Sequence, residues 1–324
     1  MSGCINLIEV DESFGHLDKL ETWHLEGCSK LEILPSAPNL KALYMSNCKN
    51  LIKVDESFGH LDKLEMWYLR GCSKLEILPS GLMLRSLKYF DLSYCKRLEK
   101  FPAICAPNLK SLDISFCKNL IEVHESVGEL HKLTEWYLES CIKLEILPSH
   151  LQLRSLQTLY LNDCRRLEKF PDIHPEMKNT LFIRMGNSGI RESSSSLTHL
   201  AKGLCSLELS NIPQLDVSEY GFLSLGSLCL NTCDGDTNEL DFQYFPRLIR
   251  LTISYSNIIS ITQKISGSPT LRFINIYNCE QLREIPTLPH SIRHVHVEKC
   301  PSLDPQSSSR LLIRVRSLSL SLYV

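Results

Sequence analysis

The stretch "WYLRGCSKLEILPS" at residues 67–80 has two close relatives in the same chain, "WHLEGCSKLEILPS" at 23–36 and "WYLESCIKLEILPS" at 136–149. Each places one cysteine five residues after a tryptophan. Reading outward from these stretches, one pattern recurs along the chain: L-x-x-L-x-L-x-x-C-x-x-L. It reads "LETWHLEGCSKL" from Leu20, "LKALYMSNCKNL" from Leu40, "LEMWYLRGCSKL" from Leu64 and "LKYFDLSYCKRL" from Leu87. It returns as "LKSLDISFCKNL" from Leu109, "LTEWYLESCIKL" from Leu133 and "LQTLYLNDCRRL" from Leu156. Looser copies start at Leu204, Leu225, Leu248, Leu271 and Ile292; a partial copy opens at Cys4 and a degraded one lies around Leu181.

The segment "W-Y-L" alternates in, out, in, as a strand requires. The inward leucines of one unit are buried only against its neighbours, so the units stack into one parallel sheet with a continuous core. All three tryptophans, Trp23, Trp67 and Trp136, occupy the same inward slot. About 14 units with a period near 23 residues match the leucine-rich repeat. The fold expected is an α/β repeat solenoid, a leucine-rich-repeat horseshoe with a parallel concave β-sheet and a mostly irregular or short-helical convex side. Segments such as "SFGHLDKL" are expected to form a short helix or 3₁₀ turn there, and "LPS" to end regular structure. The solenoid is expected over residues 1–306, with its first unit partial and the unit near 178–190 degraded. Residues 307–324 leave the register and are expected to be a disordered tail. With no capping unit before the first, the array reads as part of a larger protein or a truncated product.

The 324 residues carry a formal charge of −2 with no long basic run, which gives no reason to expect nucleic acid as a partner. No stretch of 18 or more apolar residues exists, so no membrane span is expected. The start, "MSGCINLIEVDESFGHL", lacks the basic and apolar regions of a signal peptide, and no asparagine lies in an Asn-x-Ser/Thr sequon. A reducing compartment, cytoplasm or nucleus, is therefore expected, and the 14 cysteines are read mostly as thiols.

Eleven cysteines fall at one slot just past the strand: Cys4, Cys28, Cys48, Cys72, Cys95, Cys117, Cys141, Cys164, Cys233, Cys279 and Cys300. A small, weakly polar side chain facing inward fits there, so from Cys28 onward these form a structural ladder. The alternatives are metal binding, which the lack of any C-x2-C pair disfavours, and bridging between rungs. Strands about 4.8 Å apart leave such bridging open on distance alone, and the compartment argues against it. Cys229 is off the ladder and is expected to point to the concave face.

A larger copy event lies inside the array. Residues 37–105 align without gaps on 106–174, an offset of 69, and 25 of the 69 positions differ. Fifteen positions per block, the x positions of each L-x-x-L-x-L-x-x-C, are expected to face the concave side; 12 of those differ, against 13 of the other 54. Tyr44 stands against Asp113, Asn47 against Phe116, Met66 against Glu135, Arg70 against Glu139, and Asp91 against Tyr160. Surface drift is one explanation, but the convex surface is equally wet and has changed less. The other is that the scaffold was copied and its concave face re-tuned for partners. The candidate partner-binding residues are Tyr44, Asn47, Met66, Tyr68, Arg70, Tyr89, Asp91, Tyr94, Asp113, Phe116, Glu135, Tyr137, Glu139, Tyr160 and Asp163.

No phosphate-binding G-x-x-x-x-G-K-[ST] loop, H-E-x-x-H or G-x-S-x-G is present, and neither an enzyme nor a cofactor is expected. His294 and His296 are expected to share the concave side, with Glu298 the only carboxylate in reach, which is a poor metal site.

The unit L-x-x-L-x-L-x-x-C-x-x-L-x-x-[FL]-P, the "LPS" turns, the segment "SVGELHKL" and the end "LREIPTLPHSIRHVHVEKCPSLDPQSSSRLL" resemble the leucine-rich repeat region of plant intracellular disease-resistance proteins. The nearest class is the one with an N-terminal TIR domain and a central nucleotide-binding domain. The resemblance covers about residues 1–313. It implies an immune receptor whose repeats sense a pathogen effector, directly or through a guarded host protein, and hold the nucleotide-binding domain off. Neither the TIR nor the nucleotide-binding segment is in this sequence. A stand-alone adapter or decoy, or a truncated nonfunctional receptor product, is the alternative.

Overall fold

A computed structural model describes residues 1–177, 179–190, 203–210, 222–232, 242–307 and 319–323. They form two compact units. The first comprises Met1–Leu167 with Pro171–Met177, the second Glu168–Phe170 with Lys178–Val324.

In the first unit the three residues between the paired inward positions form the strands Thr22–His24, Ala42–Tyr44, Met66–Tyr68, Tyr89–Asp91, Ser111–Asp113, Glu135–Tyr137 and Thr158–Tyr160. Each pairs in parallel with the next in chain order. The register sets Trp23, Leu43, Trp67, Phe90, Leu112, Trp136 and Leu159 in one row. All seven are buried, and the strand residues on either side of them, Ala42 excepted, are at least partly exposed. This is the repeat solenoid that the pattern predicts.

The ladder follows each strand. Cys28, Cys48, Cys72, Cys95, Cys117, Cys141 and Cys164 have no exposed surface. Each thiol reaches back one unit and donates to a backbone carbonyl, for example Cys72 to Met45 and Cys141 to Ile114, both at 3.2 Å. Burial pushes the Cys164 thiol up to about 12 and holds Cys95 and Cys141 well above the usual thiol range. Cys4, assigned to the same slot, is exposed. The described cysteines are free thiols, and Cys233 lies outside the described residues.

The residue before each ladder cysteine adopts a left-handed backbone: Gly27, Asn47, Gly71, Tyr94, Phe116, Ser140 and Asp163 all have φ between 59° and 74°. That conformation aims its N–H at the carbonyl of the following unit, as in Asn47 to Arg70 at 2.7 Å and Phe116 to Glu139 at 2.6 Å. The turn therefore completes the inter-unit hydrogen bonding that the short strands begin.

The outer side is built from 3₁₀ turns and two-stranded ribbons. Turns at Glu12–His16, Glu56–His60 and Glu125–Glu129 follow Asp11, Asp55 and His124, whose side chains accept from the backbone N–H of Ser13, Ser57 and Ser126. Glycine is required within the second and third. A Cβ on Gly59 would lie 2.6 Å from the Gly81 carbonyl oxygen, and one on Gly128 would lie 2.4 Å from that of His150.

The second unit has strands Phe182–Arg184, Ser206–Ser210, Ser227–Asn231, Arg250–Ser254, Phe273–Tyr277, His294–Glu298 and Ser319–Tyr323, each parallel to the next. The degraded unit thus still supplies a strand. So does the segment expected to be a disordered tail: residues 319–323 extend the sheet along His294–Glu298. Serine takes over two rungs that the cysteine pattern missed. Ser188 and Ser256 are buried directly after left-handed Asn187 and Tyr255. Cys279 and Cys300 continue the ladder, both buried.

Candidate partner-binding face

The first unit brings the candidate residues onto the outward face of its sheet. The register aligns His24, Tyr44, Tyr68, Asp91, Asp113, Tyr137 and Tyr160 in one row across seven strands. Met66, Tyr89 and Glu135 occupy the neighbouring row two residues earlier on their strands. All are at least partly exposed. His24, which the sequence comparison passed over because it precedes the duplicated block, stacks on Tyr44 with ring centroids 4.6 Å apart; Tyr44 stacks on Tyr68 at 5.3 Å. Tyr137 and Tyr160 meet edge to face at 5.3 Å.

Asn47, Tyr94, Phe116 and Asp163 sit off the strands, on the left-handed turn at the rim of this face. The two aromatics there stack at 4.4 Å, and the Arg70 guanidinium lies over the Tyr94 ring at 5.1 Å. Left-handed backbone at a bulky residue costs of order 1 kcal/mol. Three of the expected face positions are interior: Ala42 is buried, and so are Ser93 and Ser115. The backbone N–H groups of the two serines donate to Asp91 and Asp113, each at 2.8 Å, and fix those carboxylates on the face. Glu139 and Arg70 flank the row from the positions two beyond Tyr137 and Tyr68.

Burial holds the Asp113 carboxyl above its ordinary value, and the neighbouring Asp91 adds to this, while the Ser115 hydrogen bonds and Arg70 oppose it. The Tyr68 and Tyr137 phenols are both raised, first by burial. For Tyr68 the surrounding groups are Tyr44, Asp91 and Tyr89; for Tyr137 they are Glu135, Tyr160, Asp113 and Glu139. Among the described residues, no basic side chain forms an ion pair with Asp91, Asp113 or Glu135.

In the second unit His294 and His296 face outward as expected. His294 stacks on Phe273 at 4.8 Å, and His296 lies 3.4 Å from Glu298. Cys229 is half-buried on the outward side of its strand and contacts Asn231. Among the described residues, no group of three or more His, Cys, Asp or Glu side chains is placed to hold a metal ion. No helix in the described residues is long and apolar enough to cross a membrane.

Stacked parallel strands, inward leucines and a buried cysteine ladder define the class: a leucine-rich-repeat protein. Two solved structures share the fold. The LRR protein LIC12759 of Leptospira interrogans covers 98% of this chain and is itself covered over 81%, with a TM-score of 0.67 at 19% identity. The functional domain of InlJ from Listeria monocytogenes, described as including a cysteine ladder, covers 93% of this chain and is covered over 72%, with a TM-score of 0.52 at 17% identity. These likenesses establish the fold alone.

No family model matches the chain. Its similar curated sequences come from plants. TMV resistance protein N of Nicotiana glutinosa is 39% identical over 155 residues, 46% of this chain. Disease resistance protein RML1A of Arabidopsis thaliana is 29% identical over 47% of it, and Protein SUPPRESSOR OF npr1-1, CONSTITUTIVE 1, also from Arabidopsis thaliana, is 29% identical over 86%. The chain is thus similar to plant disease-resistance proteins of the TIR, nucleotide-binding, leucine-rich-repeat class. It spans only 13%, 15% and 17% of the length of these three relatives.

Proposed function

We infer that this chain is a non-catalytic protein-interaction scaffold: the effector-sensing and autoinhibitory repeat region of a plant intracellular immune receptor, acting in defence in the cytoplasm or nucleus. The observation that carries this reading is the contrast between the two sides of the duplicated block. On the outer side, contacts recur pair by pair at the offset of 69. Arg97 with Glu76 at 2.8 Å recurs as Arg166 with Glu145 at 3.0 Å, and Lys63 with Asn39 at 2.6 Å as Lys132 with Asn108 at 2.7 Å. The Glu56 carboxylate on the Ser80 N–H recurs as Glu125 on Ser149. On the sheet face, 12 of 15 positions differ. Most residues engaged in these outer contacts stay, and most residues that look outward from the sheet change.

A rigid row of tyrosines suits contact with another protein, because aromatic side chains supply contact area at low entropic cost. The partner is a pathogen effector, a guarded host protein or the receptor's own nucleotide-binding domain. The test compares two triple variants of the full chain in a pull-down against those three kinds of partner. Tyr68→Ala, Tyr137→Ala and Tyr160→Ala together are expected to weaken capture by at least about tenfold. Ile33→Ala, Ile77→Ala and Ile146→Ala, at outer positions 61%, 55% and 49% exposed, are expected to leave it unchanged. Equal capture by both variants overturns the reading.

A further inference from the structure

Tyr68 and Tyr137 hold the same place in the two halves of the duplication, and four neighbours surround each. Around Tyr68 these are Tyr44 on the preceding strand, Met66 on its own strand, Arg70 just beyond it, and Asp91 on the following strand. At the same four places around Tyr137 stand Asp113, Glu135, Glu139 and Tyr160. The first set is neutral, Arg70 against Asp91; the second carries three carboxylates and no basic group, a formal charge of −3. One tyrosine was kept, and its surroundings differ at all four positions. Farther out on the face, the first half carries the Lys88–Glu65 ion pair at 2.7 Å, where the second has uncharged Gln157 and Thr134.

We propose that the face around Tyr137 is a socket for a cationic side chain, an arginine or lysine, presented by a partner polypeptide. This rests on reading the sheet face as a docking surface and adds the chemistry of its occupant. A cation is attracted to the phenol ring and makes charge-assisted hydrogen bonds to carboxylates on either side. The chain makes the same kind of contact internally, where the Arg70 guanidinium covers Tyr94 at 5.1 Å. An acidic group at this place meets three like charges and is rejected. The Tyr137 phenol, raised first by burial, also feels Glu135, Asp113 and Glu139 around it, and an incoming cation relieves that repulsion. The Tyr68 site lies three strand steps away, about 14 Å, which an extended segment spans in about four residues. A partner segment therefore places its cation over Tyr137 and an uncharged or aromatic residue over Tyr68.

The test uses the full chain and two synthetic hexapeptides that carry a photo-crosslinker and differ only at one position, arginine in one and glutamate in the other. At low ionic strength, the arginine peptide is expected to crosslink to residues 113–139 at least tenfold more than its twin. Labelling is expected to fall about tenfold in Glu135→Gln with Glu139→Gln, a pair that keeps side-chain shape and so the fold. In Asp113→Tyr with Glu135→Met and Glu139→Arg, which installs three of the four Tyr68 neighbours and removes all three carboxylates, it is expected to disappear. Equal labelling by the twins, crosslinks elsewhere, or labelling that survives in the glutamine variant overturns the proposal. If the peptides fail while the tyrosine variants still lose partner capture, the docking face stands and the socket chemistry falls. If the tyrosine variants keep capture, the docking face itself is withdrawn.

Discussion

Trp67 and Trp136 fill the same buried slot in residues 37–105 and 106–174, yet their surroundings differ. Trp67 stacks on Phe58 at 6.1 Å and on Phe90 at 4.9 Å. The equivalent neighbours of Trp136 are Val127 and Leu159, both buried. The interior thus exchanges aromatic for aliphatic neighbours without altering the register or the ladder. Outside, the same two halves differ in both charge and volume, as Arg70 against Glu139 and Asn47 against Phe116 show. An inward position is held to apolar chemistry by burial, whereas an outward one is held to nothing by the fold.

This comparison can be broken most easily at the tryptophans. Trp67→Ala and Trp136→Ala are each expected to cost about 3–5 kcal/mol in urea unfolding, Trp67 the more by roughly 0.5–1.5 kcal/mol for its aromatic contacts. Equal costs would mean that the two cores pack alike despite their neighbours. The indole N–H of each has no hydrogen-bond partner, so Trp→Phe at either place removes an orphaned donor and is expected to cost less than Trp→Ala.

Next in size is the close approach of turn and ribbon. Gly59→Ala and Gly128→Ala are each expected to lose about 1–3 kcal/mol, because a carbonyl oxygen must give way. Gly81→Ala, with open space around it and His150 already at the equivalent place, is expected to be neutral or stabilising by about 0.5 kcal/mol. Thermal unfolding of the three variants separates these outcomes. A thiol reagent applied to the native chain is expected to modify exposed Cys4 and Cys105 and to spare Cys95, Cys117 and Cys141 until the chain unfolds. Rapid modification of the ladder would show that the rungs open.

The smallest expected effect is one of pH. Asp113 has a folded pKa above its unfolded value, so its ionisation costs stability at neutral pH, and that cost vanishes as pH falls through the folded value. Asp55 is the reverse. Ser57 hydrogen bonds lower its pKa, so its contribution is present above the unfolded value and is lost as pH falls through the folded one. Asp113→Asn is expected to gain stability at pH 7 and to keep no gain in acid. Asp55→Asn is expected to lose stability at pH 7 only. Urea midpoints at pH 7 and pH 3 distinguish the two.

The tryptophan and cysteine slots made most of the first unit legible in the sequence, since burial restricts both to a narrow set of residues. The strands, the 3₁₀ turns at "ESFGH" and the outward row followed from counting between those anchors. The left-handed residue before each cysteine escaped notice. Gly27, Gly71 and Asn47 suit that backbone, but Tyr94 and Phe116 do not, and the inter-unit hydrogen bond overrides their preference. Tyr94 and Phe116 therefore lie at the rim rather than on the strand. Ser93 and Ser115 looked like surface positions because serine carries no burial signal; they are buried where their N–H groups hold two aspartates. The serine rungs at 188 and 256 hid for the same reason, and the strand at 319–323 has no cysteine to mark its register.

Each ladder thiol of the first unit addresses the carbonyl one turn behind it, so no rung there refers to its absolute place in the chain. Length is therefore a free variable for this architecture. Inserting or deleting any whole number of turns returns every sulfur to an equivalent oxygen, and 69 residues is three turns. An unequal exchange at that spacing yields a foldable chain at once, longer or shorter by about 14 Å of sheet. Diversity of this surface can thus arise by splicing in finished panels, with later substitutions changing only what each panel displays.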